Sequence, residues 1–380
     1  MLVAKRYFPE IDTLRCIAVC SVIIFHARLG GMISQIGWMG VWLFFVISGF
    51  VITLTLISGD YDKLTFFQKM KTFWVRRSFR IIPLYYFVIS LLFVISLVFG
   101  PKFAEDIPYL VTFTYNFYRI FGEPSGGGIV NHFWSLSVEE QFYFIFPTFA
   151  FLAVISRRAL SITLWAVVIT APLVRIAVGA VALHYLRDER LAGDAVYQFS
   201  LAHFDAFAAG ALLAFNLDRI RSSAALRRGI IGASIIAALL YATTLALLYQ
   251  ADMSPLGAAF YGFRANAFGP VEHALLYTTI NLIFSAIIVV SITVGGAIKS
   301  ALNLEPLKYM GRISFGLYVY HMPIRALYTW DELALLPPVH SVAGFSIYFS
   351  VVLAVSATSF HLLEQPILKS RGRFLAWASR

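Results

Sequence analysis

Residues 38–57 read WMGVWLFFVISGFVITLTLI, with no charged side chain among them. A stretch of this length, coiled as an α-helix, crosses the ~30 Å hydrocarbon core of a bilayer. A helix at a water interface keeps a polar face, and this one has none. Its small residues, Gly40, Ser48 and Gly49, suit close contact with another helix. Close approach to a ligand is the alternative reading of Ser48 and its neighbours. Nine more stretches have a similar character: Thr13–Arg28, Ile81–Phe99, Phe133–Ile155, Leu160–Ala182, Phe199–Phe215, Gly229–Leu248, Ala274–Val294, Ile313–Tyr328 and Val342–Leu363. The first and ninth are short and need neighbouring helices or a locally thinner bilayer.

The whole chain agrees with this reading. Its 380 residues are 59% hydrophobic and 13% charged, against about 25% charged in a soluble domain. That composition excludes a disordered chain and an ordinary water-soluble α/β enzyme. The expectation is an all-α, polytopic membrane protein: one membrane-embedded domain over residues 1–380, with no soluble domain attached. Cys16 and Cys20 lie inside an apolar stretch and suggest neither a disulfide framework nor a metal site. The opening MLVAKRYFPEIDTLR lacks the layout of a signal peptide, so Met1 is expected to stay.

The net charge is +10, from 30 Lys+Arg against 20 Asp+Glu. One set of alternate loops holds Lys5, Arg6, the 63–80 segment, Arg157, Arg158, the 219–228 segment, Lys299, Lys308, Arg312 and the 369–380 tail. The other holds Arg28, Lys102, Arg119, Arg187, Arg190 and Arg264, with Arg325 near a helix end. Basic residues gather on the cytoplasmic side. The alternation therefore predicts ten transmembrane helices with both termini in the cytoplasm. It also accounts for the positive balance without a nucleic-acid partner. The longest outer-side loops are Gly100–His132, with a flexible run at Ser125–Gly128, and Tyr249–His273. No internal repeat of the kind found in many transporters is evident.

Ionisable residues inside the apolar stretches cost several kcal/mol and usually mark function. Arg15 and His26 are eleven residues apart, which on a helix puts them on one face about 16 Å apart. Asp12 lies a turn before Arg15 on nearly the same face. A snorkelling Arg15 paired with Asp12 is the structural reading; a histidine poised as a general base is the functional one. Arg76, Arg77 and Arg80, in TFWVRRSFRIIPLYY, sit at the inner mouth of the third stretch. Arg77 and Arg80 share a helix face and suit a phosphate, though topology alone also puts arginines there.

Glu139 and Glu140 lie in NHFWSLSVEEQFYFIFP, where a carboxyl group must be protonated, paired or wetted. A proton relay, a pairing with His26 or an arginine, and a structural ion pair all remain open for them. Arg175 should meet a carboxylate in the bundle. His203 and Asp205 open the sixth stretch. His321 and Arg325 lie in the ninth, and Glu364 ends the tenth. A histidine placed like His321 more often bonds a neighbour than reacts.

Assembled in order, IDTLRCIAV…FH, GVWLFFVISGFVIT, FWVRRSFRIIPLYY, WSLSVEEQFYFIFP, FDAFAAGALLAF, MGRISFGLYVYHMPI and LLEQP resemble the integral-membrane acyltransferase type 3 family. Those proteins O-acylate extracytoplasmic carbohydrates such as O-antigen lipopolysaccharide, exopolysaccharide and Nod factor. The resemblance implies a multi-pass enzyme of the cell inner membrane, among membrane lipid. It implies acyl-CoA, acetyl-CoA by default, as donor co-substrate, a carbohydrate acceptor, and no metal.

The family's arginine–histidine pattern falls on Arg15 and His26, its paired arginines on Arg77 and Arg80, its SLSVE carboxylate on Glu139 and its histidine-proline element on His321. Catalytic roles are thereby implied for His26 and Glu139, and Asp12, on the same polar stripe of the first stretch, is the third catalytic candidate. Donor binding is implied for Arg15, Arg76, Arg77 and Arg80, with Ser48, Arg175, His321 and Glu364 as substrate-contacting or structural candidates. The chain departs from the family at Cys16, where relatives often have glycine, and at Trp42, where they often have an acidic residue. Many relatives carry a C-terminal extracytoplasmic hydrolase-like domain, which is not expected here. A transporter or flippase that moves a glycan or metabolite without covalent change is the competing expectation.

Overall fold

The computed structural model describes residues 7–58, 61, 64–99, 104–125, 127–152, 157–248, 269–329 and 336–378. Most of the Tyr249–His273 loop, and the basic residues Lys5, Arg6, Lys63, Lys102, Arg264 and Arg380, lie outside the described residues. Ten principal helices follow in chain order: α1 (Pro9–Ala27), α2 (Gly40–Ser58), α3 (Phe66–Phe99), α4 (Trp134–Leu152), α5 (Arg157–Leu186), α6 (Phe204–Phe215), α7 (Ala224–Leu248), α8 (Pro270–Thr293), α9 (Ser314–Tyr328) and α10 (Val342–Ser359). A tail helix, α11 (Gln365–Ala378), follows α10 through a π-helical turn at Phe360–Glu364. No strand occurs among the described residues.

Each of the ten apolar stretches falls on one of α1–α10. Among the described residues, six helical segments are long and apolar enough to cross a membrane: Ser34–Ile57, Phe66–Leu97, Arg158–Leu186, Ala224–Thr244, Glu272–Thr293 and Val342–Gly372. The others fall short for visible reasons. α9 has 15 residues and α6 has 12, the first half of α1 carries Glu10, Asp12 and Arg15, and α4 carries Glu139, Glu140 and Gln141 in succession. α3 begins well before the expected Ile81, so Arg76, Arg77 and Arg80 stand inside a 34-residue helix.

The chain forms two compact units. One comprises Met1–Phe25, Gly30–Gly59 and Arg157–Arg312; the other comprises His26–Leu29, Asp60–Ser156 and Ile313–Arg380. In the first unit, α2 and α6 meet backbone to backbone. A Cβ on Gly49 would strike the Phe207 carbonyl, and a Cβ on Gly210 would strike that of Val46. Gly40 lies against the Ala18 carbonyl of α1 in the same way. The packing role expected for Gly40 and Gly49 is thus what the helices use, and Ser48 is buried beside Gly49.

Around α5 the same unit buries an ion pair. Arg175 is 0% exposed and donates to the Asp205 carboxylate. It also donates to Ala202 O at 2.8 Å and to Thr278 Oγ1 at 2.8 Å. Asn281 donates to the same carboxylate oxygen at 2.9 Å. Trp42 stacks on Tyr277 with centroids 5.0 Å apart, and the Arg175 guanidinium lies over that Tyr277 ring.

The second unit holds α3, α4, α9, α10 and α11, together with an unexpected feature in the Gly100–His132 segment. Short helices at Ile107–Val111 and Tyr115–Phe121 form a hairpin. Tyr85 donates to Leu110 O at 2.8 Å and Tyr86 to Val111 O at 2.7 Å. The Phe113 ring stacks on Tyr85, and Gln141 donates to Phe113 O at 2.8 Å and to Asn116 Oδ1 at 2.9 Å. Tyr85 precedes the end of α3 by fourteen residues, about 21 Å of helix. The segment is therefore a hairpin folded back along α3, with its tip beside Tyr85. Protein donors satisfy the carbonyls at its tip, as backbone among apolar helices requires. At the tip Phe113 holds φ +53°, a conformation that bulky residues rarely adopt.

Candidate active site

His26 sits in the last turn of α1, just before Arg28 turns the chain with φ +54°. Its Nδ1 lies 3.1 Å from Nε2 of His321 on α9. The Nδ1 of His321 lies 2.5 Å from the Tyr318 carbonyl. A carbonyl only accepts, so His321 carries its proton on Nδ1 and turns the Nε2 lone pair towards His26. The hydrogen bond between the rings then requires the proton of neutral His26 to sit on Nδ1. His26 consequently presents an unprotonated Nε2, the form needed to take a proton or attack a carbonyl carbon. The C-terminal end of α1 also offers negative potential to a transient imidazolium.

A third histidine completes the cluster. His132, in the single turn Asn131–Phe133 that leads into α4, is 3% exposed. Its ring packs edge-on against His321, with centroids 4.8 Å apart, and its Nε2 donates to Val319 O at 3.3 Å. Tyr318 donates to His132 O at 2.9 Å and meets Ser135 Oγ at 2.6 Å. Tyr348 of α10 donates to His321 O at 3.0 Å. The amino-acid sequence marks His26 and His321 separately, but it does not bring them together and does not mark His132. The one signal it holds for His132 is Pro323, which has no N–H to offer the carbonyl four residues earlier. That carbonyl is Val319's.

A second polar group lies on α3 and α4. The Tyr143 hydroxyl donates to Glu139, and the Arg77 guanidinium lies over the Tyr143 ring, 4.9 Å from its centroid. Glu140, on the adjacent helix face, has Oε1 buried without a hydrogen-bond partner among the described residues. Arg77, Ser78, Thr112, Glu140 and Gln141 line a cavity of about 300 Å³, walled by Phe73, Trp74, Phe113 and Phe144. The tip of the hairpin closes one side of this cavity.

The three arginines have different surroundings. Arg76 donates to the Tyr61 hydroxyl at 3.2 Å. Arg77 faces the cavity, and the charge of Arg80 acts on Glu364. Glu364 is 6% exposed and ends the π-helical turn. Its Oε1 faces Gly316 at van der Waals distance.

Asp12 is not brought to His26. Fourteen residues along α1 separate them, about 21 Å, and Asp12 accepts instead from the Tyr7 hydroxyl at 2.5 Å. Burial, with the bond to Asp12 and its charge, pushes Tyr7 up to about 12, so it stays a donor at neutral pH. No Asp12–Arg15 ion pair forms among the described residues. The Arg15 Nε is buried without a hydrogen-bond partner there.

Comparison with known proteins agrees with the motifs. The family model described as an acyltransferase domain matches residues 8–361. A peptidoglycan O-acetyltransferase of Listeria monocytogenes is 27% identical over 97% of this chain and 57% of its own length. An O-acetyltransferase of Staphylococcus aureus is 26% identical over 96% of this chain and 58% of its own. A putative peptidoglycan O-acetyltransferase of Bacillus subtilis is 26% identical over 95% and 55% respectively. The chain thus spans little more than half the length of these relatives. No solved structure matches it.

Proposed function

The chain belongs to the acyltransferase domain family, and from that membership we propose that it is a multi-pass membrane O-acyltransferase. It moves an acyl group, acetyl by default, from cytoplasmic acyl-CoA to a hydroxyl of a cell-surface or lipid-linked carbohydrate. The peptidoglycan named for two relatives is one acceptor of that class. Ten crossings with both termini in the cytoplasm of the cell inner membrane complete the proposal.

One observation carries it: His26, at the end of a bundle helix, presents an unprotonated Nε2 because His321 holds its Nδ1–H. In the proposed step, Nε2 takes the acceptor hydroxyl's proton as that oxygen attacks the thioester carbonyl. The C–O bond forms, the C–S bond breaks, and the proton passes from Nε2 to the departing thiolate. The products are an ester and a thiol. Transfer through an acyl-histidine would use the same nitrogen.

Arg77, turned into the cavity, is the first candidate to hold donor phosphates or amides, with Arg76, Arg80 and Arg15 as further cationic candidates. Glu139, bonded by the Tyr143 hydroxyl whose ring lies under the Arg77 guanidinium, orients or charge-balances the site. The test compares surface glycan, by mass spectrometry, from a deletion strain complemented with wild type or with His26→Ala. Loss of the acyl mass with normal membrane insertion is expected; an active His26→Ala protein overturns the proposal. Glycan that keeps its acyl mass in the deletion strain would favour the transporter reading.

A further inference from the structure

We propose that His321 is a positioning residue, and that His132 and Pro323 hold it in place. The inference rests on the reading of His26 as the base and extends it to the groups that set its tautomer. A free imidazole samples both neutral tautomers, and only the Nδ1–H form leaves Nε2 basic. His321 selects that form by offering an acceptor, and it is an acceptor because its own Nδ1–H is committed to Tyr318 O, 2.5 Å away.

The orientation of the His321 ring is itself determined. Pro323 removes the N–H that would bond Val319 O in a regular helix. That freed carbonyl takes the Nε2–H of His132 at 3.3 Å, and the His132 ring then buttresses His321 edge-on. The Tyr348 bond to His321 O fixes the backbone at the same place. The His-Met-Pro sequence of α9 thereby becomes intelligible. The proline frees a carbonyl, the carbonyl holds one histidine, and that histidine steadies the next.

The test uses the full chain in lipid vesicles with ¹⁵N-labelled histidine, His26 being assigned by its absence in His26→Gln. Wild type should show a pyrrole-type Nδ1 and a pyridine-type Nε2 at His26. His321→Leu should mix the two tautomers, and His321→Gln, which keeps an acceptor oxygen near the Nε2 position, should restore the wild-type pattern. In cells, ester-linked acetate on surface glycan, normalised to inserted protein, should fall at least 100-fold in His321→Leu and no more than about tenfold in His321→Gln.

Pro323→Ala gives a readout that a structural role would not produce. It returns a helix donor to Val319 O in competition with His132, so activity should drop while the melting temperature holds or rises. An unmixed His26 tautomer in His321→Leu overturns the proposal, as does wild-type acetylation in that variant. A loss that tracks the amount of folded protein and is not rescued by glutamine also overturns it. Were His26→Ala active, the base assignment itself would fall. Inactive His26→Ala beside fully active His321→Leu would overturn the positioning role alone.

Discussion

At the residue scale, the spacing of Arg15 and His26 is enough to put both on one face of one helix, because helical periodicity fixes that relation locally. The partner of His26 is not readable in the same way, since 295 residues separate it from His321 and no local periodicity reaches across that separation. Asp12 shows the opposite failure. Its nearness in sequence to Arg15 suggests an ion pair, whereas the Tyr7 hydroxyl takes the carboxylate. Arg77 carries the prediction proper to this scale. Arg77→Ala should raise the KM for acetyl-CoA about tenfold, roughly 1.4 kcal/mol, in thiol-release assays on purified full chain. Arg77→Lys should recover only part of that loss, because an ammonium neither stacks on Tyr143 as a flat guanidinium does nor donates bidentately. An unchanged KM in Arg77→Ala would remove it from the donor site.

At the scale of elements, the helices are legible in the sequence because long apolar runs have few other outcomes in a bilayer. Their contacts are partly legible: glycines mark close approach, but only the structure pairs Gly49 with Phe207 and Gly210 with Val46. Gly210→Val should therefore destabilise α2 against α6, because its side chain would meet backbone atoms that cannot rotate away. Detergent melting curves should show the loss, and Gly229→Val, whose Cβ meets nothing within 4 Å, is the control. Asp205→Ala should cost about 3–5 kcal/mol, since it strands the buried Arg175 charge. Asp205→Asn, which keeps an acceptor oxygen for the guanidinium, should cost less. The hairpin at 104–121 is not legible, because its turns are too short and mixed to register as a span and its place against α3 and α4 depends on Tyr85 and Gln141.

At the scale of the whole molecule, the alternation of basic loops remains the main guide to orientation. Reporter fusions after Ser223 and at the C-terminus should fluoresce as cytoplasmic proteins do. A phosphatase fused after Gly122 should be active on the outer side. A cytoplasmic signal at 122 would break the ten-crossing scheme. The hairpin between 104 and 121 folds back on itself, so it leaves the expected parity of crossings unchanged. It also bears on assembly. On its own it lacks the apolar length to partition into lipid, and one of its tip carbonyls depends on Gln141, which lies on a helix synthesised later. α4 completes the bonding of the hairpin tip, so a released chain truncated after residue 121 should leave that segment more open to protease than the full chain does.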